Sequence, residues 1–490
     1  MTWEPAPSVF SELTYYHIMP GCVEVKEGAL VLPDQLFESH PALGRGRPVF
    51  FVEEAGDTPA ARYRRTCGKE WLAALRQRGF SVDSVRPGRE GFAQALLEAL
   101  ASRGVGTLHA ADPVNLEVED RIRAFCRGNG VRLVIHETPA FLMSRRWLDG
   151  FFESRTNNRM AEFYRAVRRE TGLLLDSRGK PEGGKWSFDP QNRRRLPKGI
   201  LIPRAWGTGD PAGILRLPST RREAKAALSD FLENRLDRFG DYEDAMASNE
   251  PVLFHSVLSP ALNVGLLTPG EVLEAVLRRH RERPVPLNSL EGFVRQVSGW
   301  REFVRAMYRR IGARQRAANA LGHFAPLPSG FAAGQTGMPP VDTVVSRVNL
   351  HGYAHHIERL MVLGNFLLLC ETDPAVVNAW FLTRFADATD WAMVPNVFGM
   401  SQFADGGLMT TKPYCSGSAY LLRMGDFPEG PWREDWDSLF WRFVNRHRDL
   451  FSRNPRTRFL ANQLERMSGS RRAELMSRAE NLLRKFHESS

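Results

Sequence analysis

The chain has 490 residues, of which 43% are hydrophobic and 25% charged, and a formal net charge of +10; it is too long for one ordinary domain and has the make-up of a soluble globular protein. No apolar run approaches the ~18 residues of a membrane span, and Met1-Thr-Trp-Glu-Pro5 lacks the pattern of a signal peptide. Five scattered cysteines (Cys22, Cys67, Cys126, Cys370, Cys415) without a CxxC point away from a disulfide framework or a tight zinc or iron–sulfur site, which predicts a reduced, cytoplasmic protein.

Residues 1–28 read as an N-terminal extension. Over residues 29–145 short apolar runs at 29–32, 49–52, 105–109 and 131–136 alternate with amphipathic segments at 69–78 and 92–102. That alternation predicts an α/β domain, a doubly wound parallel sheet covered by helices. Neither GxGxxG nor GxxxxGK[ST] stands at a strand-to-helix turn, so a dinucleotide or triphosphate fingerprint is absent there. Residues 146–218 read as a basic interdomain linker. Between Ser144 and Gly199 there are 14 Lys/Arg against 7 Asp/Glu, a local excess of 7 that is either a phosphate-tracking band or a solvated linker. From residue 219 to 490 helical periodicity dominates, at 271–283, 287–311, 343–369 and 375–391. The second half is therefore expected to be all-helical.

Several clusters in that half carry chemistry. His255, Ser256 and Ser259 crowd ahead of Pro260, either as a phosphate site or with Ser259 as an ordinary N-cap. Arg295, Gln296, Trp300, Arg301 and Glu302 share one helix. His355 and Arg359 stand one turn apart, with His356 adjacent; neighbouring histidines face different ways and make poor joint metal ligands, so no metal site is expected. A buried Arg359 needs a carboxylate, and Asp387 is the candidate.

Together with residues 183–189, 253–267, 291–303, 352–364, 395–407 and 411–414, these clusters resemble the bacterial branch of the photolyase/cryptochrome family, the prokaryotic (6-4) photolyase-related proteins that usually carry an iron–sulfur cluster. The resemblance runs from Asp34 to Met467. It implies a helical domain holding a U-shaped FAD whose phosphates meet the 255–259 turn. The implied cofactor-binding residues are His255, Ser256, Leu258, Ser259 and Asn263 in that turn, and Gln296, Trp300 and Arg301 along the cavity. Arg359 and Asp387 would pair beside the isoalloxazine, with Met393 and Asn396 following. His355, His356, Tyr414 and Tyr420 are the implied catalytic residues at the lesion. Light excites the reduced flavin in that family, one electron passes to a pyrimidine (6-4) lesion flipped out of DNA, and a histidine supplies a proton. Damaged DNA is the expected partner, reached through the basic linker, and a monomer is expected.

Four departures qualify the resemblance. The regions where the family places its cluster cysteines, 337–342 and 423–437, contain none, so no iron–sulfur cluster is expected. Met393 stands where the family has a polar residue opposite flavin N5, and a thioether neither donates a hydrogen bond nor takes a proton. Phe381 follows Trp380 where the family tends to have Tyr. A different helix at 64–70 puts a lumazine-type antenna in doubt. Light-driven repair is thus weighed against two alternatives, a blue-light photosensor and a biosynthetic enzyme reusing the cavity for another cofactor or substrate.

Overall fold

The computed structural model describes residues 26–86, 92–153, 155, 158–209 and 213–487. Most of the expected N-terminal extension, with Cys22, lies outside the described residues.

Five parallel strands, β1 (Lys26–Val31), β2 (Val49–Val52), β3 (Val82–Val85), β4 (Val105–Ala111) and β5 (Arg132–His136), form one sheet in the order β3-β2-β1-β4-β5. Helices α1 (Pro59–Gln77), α2 (Phe92–Arg103) and α3 (Leu116–Gly128) make the crossovers. Both faces of the sheet are covered, which is why the central strands carry apolar residues on both sides. Side chains alternate across a strand. Leu30, Phe50 and Leu108 point to one face and meet Leu96 and Leu100 of α2 and Ile122 of α3. Ala29, Val31, Val49 and Phe51 point to the other and meet Trp71 and Leu72 of α1 together with Phe231, Leu258 and Leu262. The second face therefore welds the sheet to the helical half. An ion pair and a hydrogen bond fix the same junction: Arg305 donates to Asp112 at 3.0 Å, and the Leu142 backbone N–H donates to Glu302 at 2.7 Å.

Strand β3 has no counterpart among the apolar runs. Its sequence, Val-Asp-Ser-Val, is short and half polar, and pairing with β2 holds it in place. The amphipathic segment at 69–78 is only the second half of α1, which starts ten residues earlier behind Thr58, whose hydroxyl accepts from Ala61 N–H at 3.1 Å.

After β5 the described residues contain no strand, only two isolated bridges. None of the described helices is long and apolar enough to cross a membrane. Two helices expected to be continuous are broken. The expected 343–369 helix stops at His351, because Gly352 adopts a left-handed φ of +62°, and resumes at the π-helical turn Glu358–Gly364. The expected 375–391 helix splits into Pro374–Arg384 and Asp390–Val394, with Phe385 extended between them. The expected 287–311 helix runs on to Arg316 through a second π-turn, Arg295–Trp300, and Asp390–Val394 continues into a third, Pro395–Ser401. Such turns re-aim the residues after them and recur at functional sites. Two of them meet at Gly364, where a Cβ would stand 2.7 Å from that of Ser401.

Candidate active site

The helix break at Gly352, the π-turn Arg295–Trp300 and the turn before Ser259 surround a cavity of about 270 Å³. The break at Gly352 supplies Tyr353, His355, His356 and Ile357. The π-turn supplies Gln296 and Val297, and Arg301 follows it. The turn before Ser259 supplies His255, Ser256, Val257 and Leu258, and Glu243 and Asp244 close one side. Leu253 and Val257 both hold left-handed φ angles, +52° and +55°. Non-glycine residues reach that region only when their surroundings enforce it.

Behind the lining runs a polar chain. Arg359 donates to both oxygens of Asp387, at 2.9 and 3.0 Å, and its Nε donates to Ala354 O at 2.7 Å. The Ser259 hydroxyl donates to Asp387 Oδ2 at 2.6 Å. Asn263 Nδ2 donates to Asp387 O at 2.8 Å, and Arg301 donates to Asn263 Oδ1 at 2.6 Å. Ser259 therefore does not act as a side-chain N-cap: its hydroxyl is committed across the chain to Asp387. Phe385 stacks under the Arg359 guanidinium at 4.1 Å. The extended backbone at Phe385 that breaks the helix is what brings Asp387 to Arg359.

The cavity wall carries three imidazoles. His255 and His355 stack at 4.3 Å with 12° between their planes. His355 is only 2% exposed and neither of its ring nitrogens has a partner among the described residues; His255 Nε2 is likewise orphaned. Burial, with the positive groups around it, holds His355 well below the ordinary imidazole range, and His255 is pushed down to about 3. Both rings are therefore neutral near pH 7. Glu358 lies 3.5 Å from His355 Nε2, is paired with Arg347, and is pushed by burial up to about 7. His356 is exposed and faces the cavity.

On the far side Gln296 donates to Glu243, which also accepts from Asn192 at 2.8 Å and lies 3.5 Å from Arg295. Burial raises Glu243 to about 7 and Asp244 to about 6. Tyr414 and Tyr420 are half-buried and both feel the charges of Asp244 and Arg193, which places them beside this acidic edge.

The remaining expected site residues lie elsewhere. Trp300 packs edge-on against Phe303 and is not in the cavity lining. Met393 is 6% exposed and belongs to the main helical core, outside the lining, and Asn396 donates back to Ala392 O at 2.8 Å. Arg359, Asp387 and Asn263 form the layer behind the wall. Glu243, Asp244 and Tyr353 line the cavity without having been singled out from the sequence. Tyr353 lies inside the 352–364 run, whereas no local pattern marks the two acids.

In the regions without cluster cysteines the space is packed. Phe427, Trp432 and Trp436 are buried, and the Trp436 indole donates to Ser416 O at 2.9 Å. The basic linker divides in two. Arg145 and Arg168 turn inward, Arg145 onto Asp112 and Glu119, and Arg168 onto the Leu173, Leu174 and Trp186 carbonyls. Arg165 and Arg169 stay exposed around the Trp186 ring, at 5.9 and 5.2 Å. A further cavity of about 480 Å³ opens at the C-terminal ends of β1 and β2, beside Asp34, Glu54 and Arg64. Another, about 830 Å³ between Arg145–Glu153 and the Arg309 region, has a mixed-charge wall and none of the imidazoles in its lining.

Residues 29–212 match the family described as deoxyribodipyrimidine photo-lyase-related protein. The chain is 34% identical over 408 residues to a (6-4) photolyase of Agrobacterium fabrum, covering 76% of this chain and 80% of that protein. Among solved structures it is similar to a Synechocystis cryptochrome, with a TM-score of 0.61 at 15% identity over 95% of this chain and 100% of that one. It is also similar to a bacterial class III photolyase from Agrobacterium tumefaciens, with a TM-score of 0.58 at 16% identity over 96% and 99% of the two chains.

Proposed function

Because the chain belongs to the photolyase/cryptochrome family, among the relatives of bacterial (6-4) photolyases, we propose that it binds FAD in the imidazole-lined cavity and repairs pyrimidine (6-4) lesions in DNA under blue light. The observation that carries this reading is the exposed His356 in front of a neutral, buried His355, with the Arg359–Asp387 pair behind them.

The chemistry of the wall suits such a group. Buried polar atoms almost always find partners, and the orphaned nitrogens of His255 and His355 are ones that a hydrogen-bonding ligand would satisfy. The cavity, about 270 Å³, would hold part of such a group between Gln296 and the imidazoles. A reduced flavin bound here supplies, on excitation, the electron that splits the lesion.

The protein's own residues do the rest. His356 faces the cavity and is the group positioned to hand over a proton; desolvation, with Arg359 nearby, holds its ring down to about 4, so it must first take a proton up near pH 7. His355 and Glu358 lie behind it, 3.5 Å apart at their nearest atoms, with both His355 ring nitrogens left without a partner. Tyr414 and Tyr420 at the acidic edge form the wall for a flipped-out lesion. Exposed Arg165, Arg169 and Lys185 follow the phosphates. The absence of cysteines at 337–342 and 423–437 supports repair without an iron–sulfur cluster.

Met393 favours a second reading, a light sensor without repair, because its buried thioether offers no hydrogen bond where the family has a polar group. One experiment separates the two. Purified protein is expected to show flavin absorption and, once reduced, to restore a (6-4)-containing oligonucleotide in blue light and not in darkness. Flavin-loaded, reduced protein that leaves the lesion intact overturns repair and leaves the sensor. Protein that binds no flavin overturns both.

A further inference from the structure

Far from the cavity, the helical half brings together His323, Glu371 and His447, whose ligand atoms all lie within 4.8 Å of one another. We propose that these three residues form a zinc site that clamps three separate segments of the helical domain. They are 48 and 76 residues apart in the chain, so no sequence motif marks them.

The imidazoles have the right bite. His323 Nε2 and His447 Nε2 are 3.2 Å apart. With Zn–N distances of about 2.05 Å that separation gives an N–Zn–N angle of about 100°, close to tetrahedral. The rings are held there independently of any ion. Phe443 packs against both, with centroids at 6.0 and 4.7 Å. The Asn319 amide brackets the His323 backbone at 2.6 and 3.0 Å. The Ala325 N–H donates to the Glu371 backbone carbonyl at 3.1 Å, tying the His323 loop to the backbone of Glu371.

The Glu371 carboxylate keeps acceptor capacity for a cation. Glu371 accepts from Arg442 and Arg446 through one oxygen each. Each oxygen keeps a further lone pair. Arg442 is shared with Glu480, so two carboxylates balance the two guanidinium groups. Closing the site requires the carboxylate to move in by roughly 1.5 Å from the limit of that spread, since tetrahedral ligands stand about 3.3 Å apart.

The test uses full-length protein stripped with chelator and titrated with Zn²⁺, with Co²⁺ as the spectroscopic probe. One equivalent should bind, Co²⁺ should give the intense visible bands of a tetrahedral site, and Zn²⁺ should raise the melting temperature. His447→Gln, at a half-exposed position, should weaken binding at least tenfold and abolish the thermal shift, and His323→Ala should do the same. Melting of each variant in chelator separates ligand loss from misfolding. Equal Zn²⁺ binding by wild type and His447→Gln, or none by wild type, overturns the site and leaves a hydrogen-bonded histidine pair. Neither readout depends on flavin or repair.

Discussion

Asp387 accepts both terminal nitrogens of Arg359, at 2.9 and 3.0 Å, from a loop 28 residues further along the chain. The same carboxylate takes the Ser259 hydroxyl. Asp387→Asn leaves a half-buried guanidinium without its counter-charge and should cost about 3 kcal/mol of stability. Ser259→Ala removes one hydrogen bond to a charged group and should cost about 2 kcal/mol. Urea midpoints check both, and the Asp387 variant should also purify with less flavin. Equal losses for the two would show that the ion pair adds nothing beyond the hydroxyl.

His356 should be the residue whose loss hurts chemistry most. His356→Asn is expected to retain flavin and lesion binding while lowering the repair rate by roughly 10²-fold or more, the range for losing a proton donor. A variant that repairs at the wild-type rate moves the donor's role elsewhere.

His355 should shape the acid limb of the stability curve. Its folded ring resists the proton that the unfolded ring accepts near its ordinary value of 6.5. Below pH 6.5 the unfolded state thus binds more protons, and stability falls as pH falls, by at most about 1.4 kcal/mol per unit. Glu358, raised to about 7, acts in the opposite sense: between 4.5 and 7 the folded state holds its proton and stability falls as pH rises. His355→Asn removes the first effect, so its urea midpoint should drop less than the wild type's between pH 6.5 and 5. Parallel curves would take His355 out of the account.

Met393→Asn places an amide in the buried helical core. The midpoint potential of bound flavin should shift, and stability should fall by about 1–3 kcal/mol unless the amide finds a ligand partner. An unchanged potential would place Met393 away from the flavin.

Arg165 and Arg169 should belong to the DNA face, and Arg168 to the fold. Arg165→Ala and Arg169→Ala should each reduce the slope of log affinity against log salt by about 0.9. Arg168→Ala should instead unfold more easily, because three backbone carbonyls lose their donor.

The alternation of apolar runs and amphipathic segments was enough to read the parallel sheet and the helical half, since period-2 and period-3.6 burial are local properties of the chain. The quoted runs around Ser259, Arg301 and Arg359 likewise marked the segments that surround the cavity. Helix continuity was misread at Gly352 and at Phe385, because the periodicity resumes in nearly the same phase on the far side of each break. Those two breaks bring Tyr353, His355 and Asp387 into place.

Composition and periodicity by themselves determined the architecture of this protein, and the motif runs determined its family. Tertiary structure alone decided which side chains meet. It turned Met393 into the core and Trp300 against it, drew Glu243 and Asp244 into the wall, committed Ser259 to Asp387, and set His323 beside His447. Each of these depends on π-turns, left-handed residues and contacts across 28 to 128 positions, where the free energy comes from packing between segments and leaves no trace in local spacing.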